Sequence, residues 1–114
     1  MKYLLMLTDV AGKWATISPQ EQRRIMDAHD AFGDALRSER RFVTSFRLCP
    51  PGEAKTLHFV SPEQRDITDG PFTETKEVMG GFYVIEATSM DEAIAWARRI
   101  PLAYGSIEVR PVWE

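Results

Sequence analysis

Short hydrophobic runs predict strands at five places in the chain: residues 2–8, 42–48, 55–60, 82–87 and 106–112. Two of these runs, 2–8 and 82–87, are apolar at nearly every position, which is typical of strands covered on both faces. Because the run 42–48 is followed by two prolines and a glycine, we expect the chain to reverse there and return as 55–60. A short piece at 65–68 is expected to extend this hairpin into a meander.

Two helices are predicted from helical spacing and from the capping boxes at their starts. Ser18, followed by a proline and by Glu21, forms the first box, and Ser89 with Glu92 forms the second. The first helix runs to about residue 39 and the second stops at Pro101. Side chains at spacings of four, three and four form the buried face of the first helix: Ile25, His29, Phe32 and Leu36.

The predicted order of elements is strand, helix, strand, strand, helix, strand, with a small insertion before the fourth main strand. Such an order is typical of a ferredoxin-like α+β sandwich, βαββαβ, with an antiparallel sheet. Both helices cover the same face of that sheet, so the apolar residues of 2–8 and 82–87 need another cover on the second face. A second copy of the chain is the simplest one, which predicts a two-fold homodimer with sheets packed face to face.

Length and charge narrow the class of protein. The 114 residues fit one domain, residues 1–114. A net charge of -3 argues against a nucleic-acid partner, and the absence of a long apolar run argues against a membrane span. A lone cysteine, Cys49, cannot form an internal disulfide, so a cytoplasmic location is expected. No phosphate-binding glycine loop or serine-hydrolase motif occurs, so neither nucleotide binding nor serine-hydrolase chemistry is expected.

One segment has a composition that neither a core nor a generic loop requires. Residues 68–77 read TDGPFTETKE, and GGFY follows at 80–83. With the start MKY, the SP helix entry at 18–19 and the ending YGSIEVRPV at 104–112, this chain resembles the DGPF group of YCII-related proteins over nearly its whole length.

The resemblance implies a ferredoxin-like, dimeric α+β barrel. Relatives include a dehalogenase-like branch and proteins similar to muconolactone isomerases, and DGPF proteins are often encoded beside extracytoplasmic-function sigma factors. Better-known YCII relatives carry an acid–base dyad, formed by a histidine early in the first helix and an aspartate before a proline after the second. Here Ile100 precedes Pro101 and the early helix has no histidine, so this chain lacks that dyad.

The DGPF segment has two interpretations. As a structural loop, it orients the following strand or seals the dimer, with Phe72 as an apolar anchor and 73–77 as one helical turn. As a site, it places Asp69 and Glu77 at a pocket mouth as acid–base groups, with Phe72, Glu74 and Lys76 contacting the ligand.

His29 is the candidate acid–base group, because it lies on the apolar face of the first helix. The alternative is a core histidine bonded to backbone or water. Glu86 lies in the run 82–87, which has the most strand-like composition of the chain. It is the suggested charged partner of His29 and a candidate ligand contact. Ion pairing of Glu86 with Arg47 or Arg110 across strands is the competing explanation.

Two functional hypotheses follow. In the first, the protein binds a small organic molecule between helices and sheet, and any catalysis is cofactor-free acid–base chemistry of lyase or isomerase type. In the second, it is a non-catalytic binding or regulatory module linked to sigma-factor signalling. No cofactor is expected, and no metal, since the histidines lack ligand spacing. A cavity of roughly 300 Å3 or more lined by His29 or Glu77 favours the first hypothesis.

Overall fold

The computed structural model describes residues 1–71, 77–102 and 104–114. Within these residues the strands are β1 (Lys2–Val10), β2 (Phe42–Arg47), β3 (Lys55–Phe59), β4 (Arg65–Asp69), β5 (Glu77–Glu86) and β6 (Ser106–Pro111). The helices are α1 (Lys13–Thr16), α2 (Pro19–Ser38) and α3 (Met90–Ala97), and a 3-10 turn lies at Pro51–Glu53.

Four strands form the main sheet, in the order β2-β5-β1-β6, and each neighbouring pair is antiparallel. The two central strands, β5 and β1, are the two runs that the sequence marks as apolar on both faces. With α2 after β1 and α3 after β5, this is the predicted ferredoxin-like α+β fold. The sheet confirms the predicted fold class.

Both long helices begin at the predicted caps. The Ser18 hydroxyl accepts a hydrogen bond from the Glu21 amide at 3.2 Å, and the Ser89 hydroxyl accepts one from the Glu92 amide at 3.1 Å. The sequence did not predict α1, a single turn that follows Gly12 with no side-chain cap. No helix in the described part of the chain is both long and apolar enough to cross a bilayer.

The core lies between the helices and one face of the sheet. Alternate residues of β1 and β5 point into it, and Leu5, Leu36 and Ile85 are fully buried there. Phe32 of α2 packs edge-on against the rings of Tyr83 and Trp96, so both helices contact the same aromatic centre. This packing fixes the position of α2 over β5.

The hairpin prediction was wrong in its pairing. The strands β3 and β4 pair with each other in a separate two-stranded sheet, whereas β2 pairs with β5. The prolines at 50 and 51 explain the difference, because they lack amide donors and end the ladder after β2. The segment is therefore an inserted hairpin, which we call the β3–β4 arm, and not a continuation of the sheet. None of the core side chains in the described residues comes from this arm.

The opposite face of the main sheet carries apolar side chains that no described element covers. Cross-strand pairing places Leu4 beside Val84 and Met6 beside Phe82, while Phe46 of β2 lies next to Phe82 with 5.9 Å between ring centroids. Phe46 is 63% exposed. We call this surface the open face, defined by Leu4, Met6, Phe46, Phe82 and Val84.

Candidate active-site cleft

A cleft of about 390 Å3 opens between α1, α2 and the β2 side of the sheet. Its walls are mainly apolar and aromatic, and its polar side chains include His29, Tyr83, Asp30 and Arg47. This combination, an apolar hollow with a few convergent polar groups, is typical of a small-molecule site. We refer to it as the cleft.

His29 and Tyr83 form a hydrogen-bonded pair inside the cleft. His29 Nδ1 lies 2.7 Å from Tyr83 Oη, and the two rings stack at an angle of 10° with centroids 6.0 Å apart. The backbone of Pro101 also lies beside the imidazole and favours a proton on it. A neutral imidazole satisfies the Tyr83 contact, since its Nδ1 lone pair accepts the proton of the phenol.

The surroundings keep both members of the pair uncharged at neutral pH. Burial lowers the pKa of His29 below its ordinary value of 6.5, and this outweighs the carbonyl of Pro101 and the charge of Asp30, which favour protonation. Burial, aided by the Asp30 charge, raises the pKa of Tyr83 to about 12. The cleft therefore holds a phenol that keeps its proton and a neutral imidazole whose Nδ1 lone pair accepts the hydrogen bond from that phenol.

The lowered pKa of His29 predicts a pH-dependent stability. Below about pH 6.5 the unfolded chain binds a proton at this histidine more readily than the folded chain does. The contribution of His29 is thus fully present above about pH 6.5 and is lost as the pH falls through the lowered pKa of the folded chain. We expect His29→Gln to reduce the difference in free energy of unfolding between pH 7.5 and pH 5.5, measured by chemical denaturation.

The chain offers a matched control for this measurement. His58 lies on the β3–β4 arm, outside the cleft lining, so His58→Gln is expected to keep the wild-type pH difference. An unchanged pH difference in His29→Gln would contradict the proposed environment of His29.

A glycine shapes the floor of the cleft. Across the sheet, Gly81 lies between Leu7 of β1 and Arg47 of β2, on the helix side. A Cβ atom on Gly81 would come within 2.8 Å of the Phe46 carbonyl oxygen, so no larger residue fits without moving β2. The next row places Tyr83 opposite Ser45. The absence of a side chain at Gly81 therefore lets β2 approach β5 closely at the cleft floor.

The other candidate residues lie away from this cleft or outside the described residues. Asp69 ends β4, where its carboxylate contacts Lys55. Glu77 begins β5, so it does not end the helical turn expected for 73–77, and its carboxylate accepts a hydrogen bond from the Thr8 hydroxyl at 3.4 Å. Among the described residues, neither Asp69 nor Glu77 lines the cleft. Three candidate ligand contacts lie outside the described residues: Phe72, Glu74 and Lys76.

Glu86 is not the partner of His29. Its carboxylate lies 3.4 Å from the amino group of Met1 and 3.6 Å from Lys2 Nζ, at the far end of β5. The expected pairing with Arg47 or Arg110 was also wrong, because Arg110 pairs with Glu108 at 2.6 Å. The register explains this, since Lys2 of β1 lies directly opposite Glu86.

Tyr83 is the cleft residue that sequence reasoning missed. It was assigned only as part of a strong strand, although alternation with Ile85 places it on the helix side of β5. A phenol on that face, opposite a helix histidine, was the available signal. Among the residues that the structure describes, no group of three or more His, Cys, Asp or Glu side chains is arranged to hold a metal ion.

Comparison with known proteins agrees with this architecture. An uncharacterized protein of Rhizobium meliloti (strain 1021) is 38% identical over 112 residues, covering 90% of this chain and 82% of the relative. The structure of 5-chloro-2-hydroxyhydroquinone dehydrochlorinase from Burkholderia phenoliruptrix AC1100, in complex with 2,5-dihydroxybenzoquinone, matches with a TM-score of 0.56 and 21% identity. This match covers 100% of this chain and 94% of the dehydrochlorinase, and it shows the shared fold. The family model for the YCII-related domain matches residues 1–114, and the chain therefore belongs to the YCII-related family.

Proposed function

We propose that the cleft binds a small organic molecule and that His29 and Tyr83 move a proton on it without a cofactor. The observation that carries this proposal is the 2.7 Å contact between His29 Nδ1 and Tyr83 Oη inside a hollow of about 390 Å3. A histidine whose only task is to fill a core does not need such a hollow beside it. Reported chemistry of a fold neighbour, a dehydrochlorinase bound to a quinone, supports a small ring compound as ligand.

The geometry supports a relay of two coupled transfers. Tyr83 Oη accepts a proton from an acidic carbon of the ligand while its own proton passes to His29 Nδ1. The same transfers then run in reverse and return a proton to a different carbon. The product is an isomer, both side chains end as they began, and no electrons are exchanged. The charge of Asp30, which favours protonated His29, stabilises the intermediate imidazolium.

The test uses α-angelica lactone, a small ring whose double bond moves into conjugation when one proton leaves C3 and another arrives at C5. We expect the wild-type protein to accelerate this isomerisation, followed by ultraviolet absorbance. His29→Gln is expected to lower the rate about 100-fold, which is the low end for loss of an acid–base group. Because the relay passes through the phenol, Tyr83→Phe is expected to lose a similar factor.

A matched control separates chemistry from folding. His58→Gln changes the other histidine, outside the cleft, and is expected to retain the wild-type rate. Thermal melting of each variant reports whether the fold is intact. Binding of the lactone in the cleft without isomerisation would contradict the relay and favour a binding module. Full activity in folded His29→Gln would contradict the assignment of the base.

We also propose that the protein works as a homodimer through the open face. The helices cover the other side of the sheet, and Leu4, Met6 and Val84 are only half-buried in the single chain. Burial of such a contiguous apolar surface is the main driving force for subunit association. Phe46 and Phe82 belong to both the open face and the cleft lining, so a partner seated on this face borders the ligand site.

A further inference from the structure

Arg47 is a fixed cation on the floor of the cleft. Its guanidinium lies over the ring of Trp14, with 4.7 Å between its central carbon and the ring centroid. Both residues line the cleft. This contact with the indole restrains the guanidinium, whose N–H groups lie in its own plane and point outward along its edge. An in-plane edge of this kind matches a planar anion with two oxygens.

This cation is not neutralised by the described part of the protein. No described carboxylate forms an ion pair with Arg47, whereas the other arginine of the cleft, Arg37, lies 3.5 Å from Asp34 and stacks over Phe42. Among the described residues that line the cleft, Arg47 is therefore the cation without a carboxylate partner. A singly charged group suits one such cation, since a second one would be needed to balance a doubly charged phosphate.

The position of Arg47 relates it to the proposed proton relay. Arg47 of β2 lies directly opposite Gly81 of β5, and Tyr83 follows two residues later on β5. Arg47 and Tyr83 are therefore diagonal neighbours, whose Cα atoms are roughly 7–8 Å apart. Gly81 has no side chain to separate them. The Arg47 charge also acts on the imidazole, because it is one of the influences that lower the pKa of His29. The distance from an anion bound by Arg47 to the His29–Tyr83 pair is thus about the width of one small ring.

We propose that the cleft selects planar organic acids, with a single carboxylate held edge-on by Arg47 and an apolar ring directed toward His29 and Tyr83. This inference rests on the proposed ligand-binding function and names the class of ligand. Arg47 acts as the specificity residue, and the aromatic and aliphatic walls of the cleft contact the ring. Neutral rings of the same shape bind more weakly, because they leave the guanidinium without an oxygen partner.

The experiment compares two probes of nearly equal shape, 2-naphthoate and 2-naphthamide, on the full chain. Binding is followed by two-dimensional NMR, with the Trp14 indole and the Gly81 amide as reporters of the cleft. We expect naphthoate to bind about tenfold more tightly than naphthamide, a modest factor because Arg47 is exposed to solvent. Arg47→Gln is expected to remove this preference without changing the affinity for naphthamide more than about twofold.

Two further variants identify the cause. Arg47→Lys keeps the charge but not the planar edge, so it is expected to retain only part of the preference. Arg23→Gln makes the same change of charge on the exposed side of α2, outside the cleft lining, and is expected to keep the full preference. Loss of the preference in Arg23→Gln would show a long-range charge effect and overturn the role of Arg47.

The remaining outcomes separate this inference from the proposed function. If both probes shift the cleft signals with equal affinity, the class of ligand proposed here is wrong and the binding function stands. If neither probe shifts the Trp14 and Gly81 signals, the proposed binding function itself fails.

Discussion

Replacing Val84 by glutamate is expected to convert the proposed homodimer into folded monomers. Val84 lies at the centre of the open face, paired with Leu4 on one side and Thr44 on the other. A carboxylate there would be buried against apolar partner side chains without a counter-charge, which is strongly unfavourable. We expect the dissociation constant of the dimer to rise at least about 100-fold. Sedimentation velocity at micromolar concentration measures this change.

The control makes the same type of substitution on another surface. Ala31 is exposed on α2, so Ala31→Glu adds an equal charge away from the open face and is expected to leave the dimer intact. Far-ultraviolet circular dichroism shows whether each variant is folded. A wild-type protein that sediments as a well-folded monomer at micromolar concentration would contradict the proposed dimer.

Replacing Gly105 by alanine is expected to destabilise the protein more than the same substitution at Gly12 or Gly52. Its φ of +90° is a conformation that L side chains rarely adopt, and a Cβ atom would lie 2.0 Å from the carbonyl oxygen of Thr8. The start of β6 must move away from β1 to relieve this overlap. We expect a loss of about 3 kcal/mol or more in the free energy of unfolding, measured by chemical denaturation.

Two other glycines separate the causes of this loss. Gly12 has a φ of +78° but open space around its Cβ position, so Gly12→Ala is expected to cost only about 1 kcal/mol of conformational strain. Gly52 has neither a positive φ nor a near neighbour, so its substitution is expected to change stability by about 0.5 kcal/mol or less. Equal losses at Gly105 and Gly12 would contradict the close approach to β1.

The parts of the fold that the sequence predicts are those governed by local signals. The capping serines, Ser18 and Ser89, mark the starts of α2 and α3, and apolar runs mark both central strands. The pairing of β2 with β5 instead of β3 was not predicted, because strand partners are chosen by non-local burial. Proline at 50 and 51 signals a break, but it does not say where the chain goes next.

Only part of the candidate site could be predicted from local sequence signals. Helical spacing placed His29 on the buried side of α2, and its contact with Tyr83 agrees with that position. The register of β1, β5 and β2, which brings Tyr83, Gly81 and Arg47 to one floor, depends on bulges that no local pattern reveals. Sequence distance also concealed the partner of His29, since it is 54 residues away.

The β3–β4 arm is expected to tolerate changes of sequence during evolution. The arm supplies no described core residue, and its strands pair only with each other, with Phe59 76% exposed. Selection for a stable core therefore places few demands on the arm's residue identities or length. Insertions and deletions should accumulate first at the turn between β3 and β4, while the main sheet and its helices stay the same.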